Sequence, residues 1–326
     1  MLLSICIPSY NRGHRAQELI HSLLRMPYDK TQIEIICSNN GSDKNIEGYE
    51  ELRKIRDKRF VYHEFSSNQG FAGNVNQVIK MSRGDFCMLL SDEDAIIEEN
   101  LYNYLRFLEL HPELSLVKGC TSLAYSDLKT QYISQREEAL DSFYMMGNYI
   151  SGTIYNRSVI SDEVIVHYAT QYEGNEAYYY YVHLFLDAYA LLHGNFCSSD
   201  LLLIAEGIPA DHFDLAPNSP NQSVPVFGTY ESRLKQMQGF IEQIKDFDTE
   251  ATVKFQMFVR VLERIAEQIN VQKKRYVDSG YNWSEIMSLT AEQMKEEISF
   301  LELPFGEEDV EIINQFIDSI TINWEG

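Results

Sequence analysis

Short apolar segments alternate with amphipathic segments between residues 2 and 119 of this 326-residue chain. Each apolar segment has the length of a buried strand, and the segments between them repeat apolar residues at helical spacing. This alternation predicts an α/β fold with a mostly parallel sheet flanked by helices. In such sheets, ligands bind beyond the carboxyl ends of the strands. The predicted strands are LLSICIP, IEIICS, RFVYHEF, DFCMLL and LSLVKG.

The rest of the chain divides into an irregular middle and a helical end. A tyrosine-rich segment that ends at Gly194 predicts a helix, and CSSDLLLIAEG predicts a strand. The segment from Pro209 to Pro225 holds four of the eight prolines and predicts a loop. From residue 230 onward the apolar spacing is helical, with further helices predicted near 284–301 and 307–320. We therefore expect an α/β domain over residues 1–225 and a helical region over residues 226–326.

The formal net charge of −22 argues against a nucleic-acid-binding surface, because contacts to phosphates need clustered Lys and Arg. The same charge disfavours broad adhesion to anionic lipid, although a local basic patch could still exist. No apolar run approaches the roughly 18 residues of a membrane span, and no signal peptide is predicted. The cysteines lack CxxC spacing, which favours reduced core residues of a cytosolic protein. They are Cys6, Cys37, Cys87, Cys120 and Cys197.

Polar clusters follow four of the predicted strands. They are PSYNR at residues 8–12, NNGSD at 39–43, NQGFAGN at 68–74 and SDED at 91–94. Turns and helix N-caps favour these residue types, so a purely structural role explains any one of them. Because all four follow strands of one predicted sheet, we expect them to line a single edge, as a binding site would.

Three adjacent carboxylates, Asp92, Glu93 and Asp94, need a counter-charge. Mg²⁺ or Mn²⁺ supplies one, because hard cations bind carboxylate oxygens and share the phosphates of a substrate. An N-cap followed by acidic residues in the first helical turn explains the same pattern without a metal. The residues alone leave both interpretations open.

The chain resembles the nucleotide-sugar half of GT-A glycosyltransferases, the large family 2 of mostly inverting enzymes. The segments SICIPSYNR, SNNGSDKN, SSNQGFAGNVNQVIKMSRGDF and LLSDEDA carry this resemblance. It implies a nucleotide-sugar donor, with a UDP-sugar favoured, although Asn39 and Asn40 stand where the family has an acidic residue that contacts the base. The positions that it implies for nucleotide binding are Pro8, Tyr10, Arg12, Asn39, Asn40, Asn68, Gly70, Asn74, Asp85 and Asp92.

The resemblance also implies a site for Mn²⁺ or Mg²⁺. Where the family often reads LDADD, this chain reads LSDED, so Glu93 is the position-matched ligand. Asp92 is shifted towards the ribose or the metal, and Asp92 and Asp94 themselves spell DxD. His212 stands in a loop region where the family often has a metal-ligating histidine. A solvated loop histidine is the alternative for His212.

An inverting transfer needs a general base that removes the proton of the acceptor hydroxyl. The family supplies an Asp from an ED pair, and counting back from Gly194 places His183 there. His183 is a candidate base, with a half-buried structural histidine as the alternative. Asp187, four residues further along the helix, either is the base or orients His183. Glu176 and Glu173 are further candidates.

These expectations describe a metal-dependent transferase that builds surface polysaccharide or another glycoconjugate on a saccharide or lipid-linked saccharide acceptor. We expect it in the cytoplasm or at the inner membrane face. The C-terminal helices would bind the acceptor, a second copy or the membrane. A protein that binds nucleotide sugars without turnover is the main alternative, motivated by the altered motifs. A nucleotidyltransferase ranks lower, because PSYNRGHR follows the first strand in place of a Gly-rich phosphate loop.

Overall fold

A computed structural model describes residues 2–147, 149–207, 230–278, 295–296 and 306–321. The five predicted N-terminal strands all form. The strands are β1 Leu3–Ser9, β2 Ile33–Asn39, β3 Phe60–Glu64, β4 Phe86–Leu89, β5 Ala95–Ile96, β6 Leu114–Thr121, β7 Gln131–Ile133, β8 Thr153–Asn156 and β9 Asn195–Ala205. The helices are α1 Gly13–Arg25, α2 Ile46–Leu52, α3 Gly70–Met81, α4 Glu98–Leu110, α5 Arg136–Phe143, α6 Asp162–Gln171, α7 Glu176–His193, α8 Tyr230–Asp246, α9 Ala251–Asp278 and α10 Glu307–Thr321.

The described strands form one mixed sheet in the order β3-β2-β1-β4-β8-β6-β9-β5, and β7 pairs with β9. Strands β3, β2, β1 and β4 are parallel neighbours, and β6 is parallel to β9. The other pairings are antiparallel, because β8 runs against both β4 and β6 and because β5 and β7 run against β9. The α/β prediction is confirmed, but only the N-terminal half has the predicted parallel order, since helix–strand alternation stops at β6.

The strand register determines which loops share an edge. Ser9 pairs with Asn39 at the end of β1 and β2, and Cys6 pairs with Leu89 at the end of β4. The carboxyl ends of these parallel strands therefore lie together, and we call this side of the sheet the carboxyl edge. The polar clusters that follow β1, β2 and β4 all begin there.

The apolar pattern of the strands explains how helices cover the sheet. Ile5, Ile35 and Met88 are adjacent and fully buried on one face, where they pack with Ile20 of α1 and Leu105 of α4. Helix α3 packs on β1 and β2. The resulting core holds the strands in register and so fixes where their terminal side chains stand.

The chain separates into two compact units. The first contains Met1–Ala139, Gly147–Glu173 and Tyr181–Asp214, and the second contains Leu140–Met146, Gly174–Tyr180 and Leu215–Gly326. The second unit includes α8, α9 and α10, so the predicted helical character is confirmed where the chain is described. The predicted loop 209–225, the boundary at residue 225 and most of the predicted helix 284–301 lie outside the described residues. Among the helices that are described, none is long and apolar enough to cross a membrane.

Candidate functional site

Asp92 is a buried carboxylate at the carboxyl edge. Only 3% of it is exposed. The Ser9 hydroxyl donates to its Oδ2 at 2.5 Å, and Arg12 Nη1 donates to its Oδ1 at 3.1 Å. Burial raises the pKa of Asp92, while the neighbouring Arg12 guanidinium and the Ser9 hydrogen bond lower it. Asp92 is therefore held in one orientation by partners from the loop after β1.

Glu93 and Asp92 contact the same arginine side chain, that of Arg12. The same Arg12 Nη1 lies 3.2 Å from Glu93 Oε2, and Arg15 Nη1 lies 3.8 Å from that oxygen. The Glu93 side chain is 10% exposed. Two arginines at the start of α1 therefore balance the two carboxylates at the end of β4, across neighbouring parallel strands.

Asp94 faces a different set of partners. Its Oδ2 accepts hydrogen bonds from the Tyr149 hydroxyl at 2.6 Å and the Ser151 hydroxyl at 2.5 Å. Its Oδ1 accepts the Gly207 N–H at 2.9 Å. Burial and the adjacent Asp94 carboxylate raise the pKa of Tyr149. Asp94 therefore ties the chain after β9 to the loop after β4, which is a structural role that the DxD pattern did not predict.

The residues Asp92 and Glu93 fit a divalent cation. Their oxygens already converge on one positively charged nitrogen of Arg12. A cation bound by one or two carboxylates takes its remaining ligands from substrate phosphates and water. Across the described residues, no three His, Cys, Asp or Glu side chains gather as a protein-only metal site. His212 lies outside the described residues.

Asn40 and Asn68 organise the loop between β3 and α3. Asn40 Nδ2 donates to Asn68 Oδ1 at 2.9 Å and to the Gly70 carbonyl at 3.0 Å. Asn40 Oδ1 accepts the Gln69 N–H, and Asn68 Oδ1 accepts the Gly70 N–H. Gly70 has a φ of 75°, which suits glycine. Both amide hydrogens of Asn40 are thus used within the protein, so Asn40 shapes the loop.

Asn39 and Asn74 are buried beside the same strand ends. Asn39 Oδ1 accepts the Ser42 N–H at 3.0 Å. Asn74 Nδ2 donates to the carbonyls of Ser9 and Ser38, each at 3.2 Å. Asn74 Oδ1 is buried without a hydrogen-bond partner. Asn74 therefore joins the ends of β1 and β2 from α3.

Pro8 and Tyr10 flank Ser9 at the end of β1. Pro8 is half-buried, and Tyr10 is 39% exposed, so its ring is open to a ligand. Asp85 stands elsewhere, because it precedes β4 and β4 runs parallel to β1. At roughly 3.3 Å per residue, the length of β4 separates Asp85 from the carboxyl edge by about 13 Å. The predicted contact between Asp85 and the nucleotide stays a prediction, and the structure places Asp85 at the end of β4 opposite to the other predicted nucleotide-binding residues.

The helix α7 places both His183 and Asp187 in the interior. His183 is 1% exposed and lies edge-on to the rings of Phe71 and Tyr181. Asp187 Oδ2 is 2.7 Å from Lys118 Nζ, and Asp187 Oδ1 accepts the Tyr155 hydroxyl at 2.7 Å. Asp187 is therefore half of a buried ion pair that attaches α7 to the sheet.

Glu176, the remaining candidate base, lies at the start of α7 and belongs to the second unit. Its carboxylate accepts a hydrogen bond from the Ser232 hydroxyl. The side chain is half-buried. Glu173, a further candidate, is exposed.

The sequence-based prediction missed three residues that support the carboxylates. Ser9 binds Asp92, Arg15 lies near Glu93, and Tyr49 holds the loop after β1 from α2. The Tyr49 hydroxyl lies 2.6 Å from Ser9 Oγ and accepts the Arg12 N–H at 3.1 Å. Ser9 stands within the PSYNR cluster and could have been included. No sequence pattern pointed to Tyr49, because its contacts with Ser9 and Arg12 depend on how α2 packs against the loop after β1.

The profile of glycosyl transferase family 2 matches residues 4–158. Abequosyltransferase RfbV of Salmonella typhimurium is 25% identical over 163 residues, which is 48% of this chain and 47% of RfbV. Poly-beta-1,6-N-acetyl-D-glucosamine synthase of Staphylococcus aureus is 29% identical over 118 residues, 36% of this chain and 28% of that enzyme. The matched segment spans less than half the length of these curated relatives.

The solved structures show a similar fold. The crystal structure of S. aureus TarS 1-349 aligns with a TM-score of 0.63 and 15% identity, covering 99% of this chain and 88% of that chain. TarS 1-349 in complex with UDP-GlcNAc aligns with a TM-score of 0.60 and 16% identity over 81% of this chain and 72% of that chain. Residues 4–158 therefore match the profile of glycosyl transferase family 2, and the fold of the chain is similar to that of TarS, a GT-A fold.

Proposed function

We propose that this protein is a glycosyltransferase that moves a sugar from a UDP-sugar to a hydroxyl group of a saccharide, with inversion at the anomeric carbon. The observation that carries the proposal is the convergence of Arg12, Asp92 and Glu93 at the carboxyl edge, within the family 2 domain. Ligands of α/β sheets bind at this edge. The cluster supplies both signs of charge that a metal–diphosphate complex requires.

The donor site is formed by the loops after β1, β2 and β3. Tyr10 offers an exposed aromatic ring to the nucleotide, and Pro8 and Asn39 stand at the neighbouring strand ends. Asn40 and Asn68 shape the loop rather than read the base. A UDP-sugar is favoured because TarS, which shares the fold, has been crystallised with UDP and with UDP-GlcNAc.

Asp92 and Glu93 hold Mn²⁺ or Mg²⁺ in this proposal. When bound, the cation neutralises charge that develops on the departing diphosphate. Arg12 and Arg15 supply further positive charge at the start of α1. Asp94 is assigned no ligand role, because Tyr149, Ser151 and Gly207 already occupy its oxygens.

A general base must accept the proton of the acceptor hydroxyl. The candidates in this proposal are His183, Asp187 and Glu176, and Glu176 accepts a hydroxyl hydrogen bond from Ser232 within the second unit. Asp187 is engaged by Lys118, and His183 is 1% exposed.

The acceptor in this proposal is a growing surface polysaccharide or glycoconjugate, lipid-linked or free. The relatives act on such polymers by name, including a poly(ribitol-phosphate) beta-N-acetylglucosaminyltransferase. A cytoplasmic site is favoured because all five cysteines are buried and free. The acidic helices of the second unit are candidates for contacts with the acceptor, a second copy or the inner membrane face.

Release of UDP from a panel of UDP-sugars, with Mn²⁺ and oligosaccharide acceptors, tests the proposal. Glu93→Ala should lower turnover at least a hundredfold, whereas Glu99→Ala, which removes the same charge from an exposed site on α4, should not. Equal turnover by both variants would contradict the role of Glu93. Product anomers resolved by NMR report inversion or retention.

Donor binding without turnover is the second candidate function. The engagement of Asp187 by Lys118 and the burial of His183 favour it, because neither side chain is open to an acceptor. In the same assay, this function predicts saturable binding of a UDP-sugar and no UDP release with any acceptor.

A further inference from the structure

One guanidinium nitrogen stands between the two carboxylates of the proposed metal site. Arg12 Nη1 lies 3.1 Å from Asp92 Oδ1 and 3.2 Å from Glu93 Oε2. Both acids lie in a single loop after β4, and Arg12 reaches them from the N-cap of α1, which follows the neighbouring strand β1. The protein thus places its own cation where these two residues would hold a divalent one.

We propose that Arg12 is an internal counter-ion that occupies the cation position between Asp92 and Glu93 until a donor and metal arrive. The inference rests on the proposed function, because it takes that metal site as its starting point. In this exchange, the metal and the Arg12 guanidinium exclude each other from the two carboxylates. No covalent bond changes, and the only movement required is that of one side chain.

The local charge explains why the exchange is needed. Asp92 is 3% exposed and Glu93 is 10% exposed at its side chain, so two uncompensated carboxylates would be costly in the empty site. Arg12 lowers that cost. A divalent cation between the same oxygens would repel the guanidinium at short range, where screening by water is weak.

The Arg12 guanidinium can move away from the two acids and keep its charge in contact with water. Its side chain is 25% exposed, in contrast to the nearly buried acids, so the guanidinium has a route to solvent. A guanidinium binds a diphosphate in a bidentate manner, so the displaced Arg12 side chain is suited to the diphosphate of the donor. Arg15, 3.8 Å from Glu93, remains near the acids.

The test measures Mn²⁺ binding to the full chain without nucleotide, using the electron paramagnetic resonance signal of free Mn²⁺. Arg12→Gln removes the competing cation and should bind Mn²⁺ at least tenfold more tightly than the native protein. Arg53→Gln is the matched control, because it removes the same charge from a separate, partly exposed ion pair with Glu64. Its affinity should equal the native value.

Equal Mn²⁺ affinity of Arg12→Gln and Arg53→Gln would overturn the exchange. A second measurement uses the native chain, so it tests the exchange even if the Arg12→Gln variant misfolds. The side-chain ¹⁵N resonance of Arg12 should shift on saturation with Mg²⁺ while that of Arg53 stays in place, and an unshifted Arg12 resonance would overturn the inference. UDP release is measured separately, so loss of the proposed function is distinguishable from loss of the exchange.

Discussion

The substitution Asp187→Asn separates a structural carboxylate from a catalytic one. Asp187 Oδ2 lies 2.7 Å from Lys118 Nζ, and the two residues are 7% and 5% exposed. Removing one partner leaves the Lys118 ammonium buried with the Thr153 hydroxyl, 2.8 Å away, as a remaining neutral partner. We expect a loss of about 3–5 kcal/mol in the free energy of unfolding.

The expected loss is large enough for thermal unfolding to detect. A domain of roughly 150–250 residues shifts by about 2–4 °C per kcal/mol, so Tm should fall by about 6–20 °C. Urea unfolding followed by circular dichroism gives the free energy itself. The matched control is Asp162→Asn, which breaks a more exposed pair with Arg157 and should cost less than about 1 kcal/mol.

A double-mutant cycle with Lys118→Met attributes the loss to the ion pair. The double variant should be more stable than the sum of the single losses predicts, by at least about 1 kcal/mol, because neither charge is then left alone. Turnover per folded molecule should change less than tenfold in Asp187→Asn. An unchanged Tm together with a loss of turnover of about a thousandfold would refute the structural assignment and identify Asp187 as the base.

Three further perturbations test other parts of the structure. Asp94→Asn should change Mn²⁺ affinity less than threefold in a titration with UDP present, whereas Glu93→Gln should weaken it more than tenfold. Gly48→Ala places a Cβ 2.1 Å from the backbone of Gly13, so α1 and α2 must separate, and calorimetry should show a loss of about 3 kcal/mol. Burial lowers the pKa of His63 in the folded protein from the ordinary value of 6.5. As the pH falls, His63 therefore takes up a proton at a higher pH in the unfolded state than in the folded state, and this favours unfolding. Unfolding free energy should decrease below about pH 6.5, and His63→Gln should flatten that decrease.

The parallel half of the sheet was predictable because its strands and helices are local in sequence. Each strand from β1 to β4 is apolar, and each is followed by an amphipathic helix or a polar loop. The antiparallel entry of β8 between β4 and β6 was not predictable, because it depends on a reversal in the irregular middle of the chain. The carboxyl edge was therefore found, and the far half of the sheet was not.

The sequence predicted which strand ends carry the candidate residues, but it did not predict the direction of their side chains. Neighbouring residues Glu93 and Asp94 face different partners, and those of Asp94 come from residues 149, 151 and 207. No local pattern encodes such distant contacts. The role of Asp85 was assigned by motif, without the direction of β4, and the structure places this residue before β4, away from the carboxyl edge. Lys118 was an available signal, since a lysine within an apolar strand requires a buried partner.

Crystals of the protein grown with UDP and Mn²⁺ test the central claim most directly. An anomalous difference map at the manganese edge locates the ion without assumptions about its ligands. We expect a peak between Asp92 and Glu93, bridged to the diphosphate at the carboxyl edge, with Arg12 moved off both acids. UDP bound at this edge with Arg12 still between the two carboxylates, or manganese bound elsewhere, would contradict the assignment.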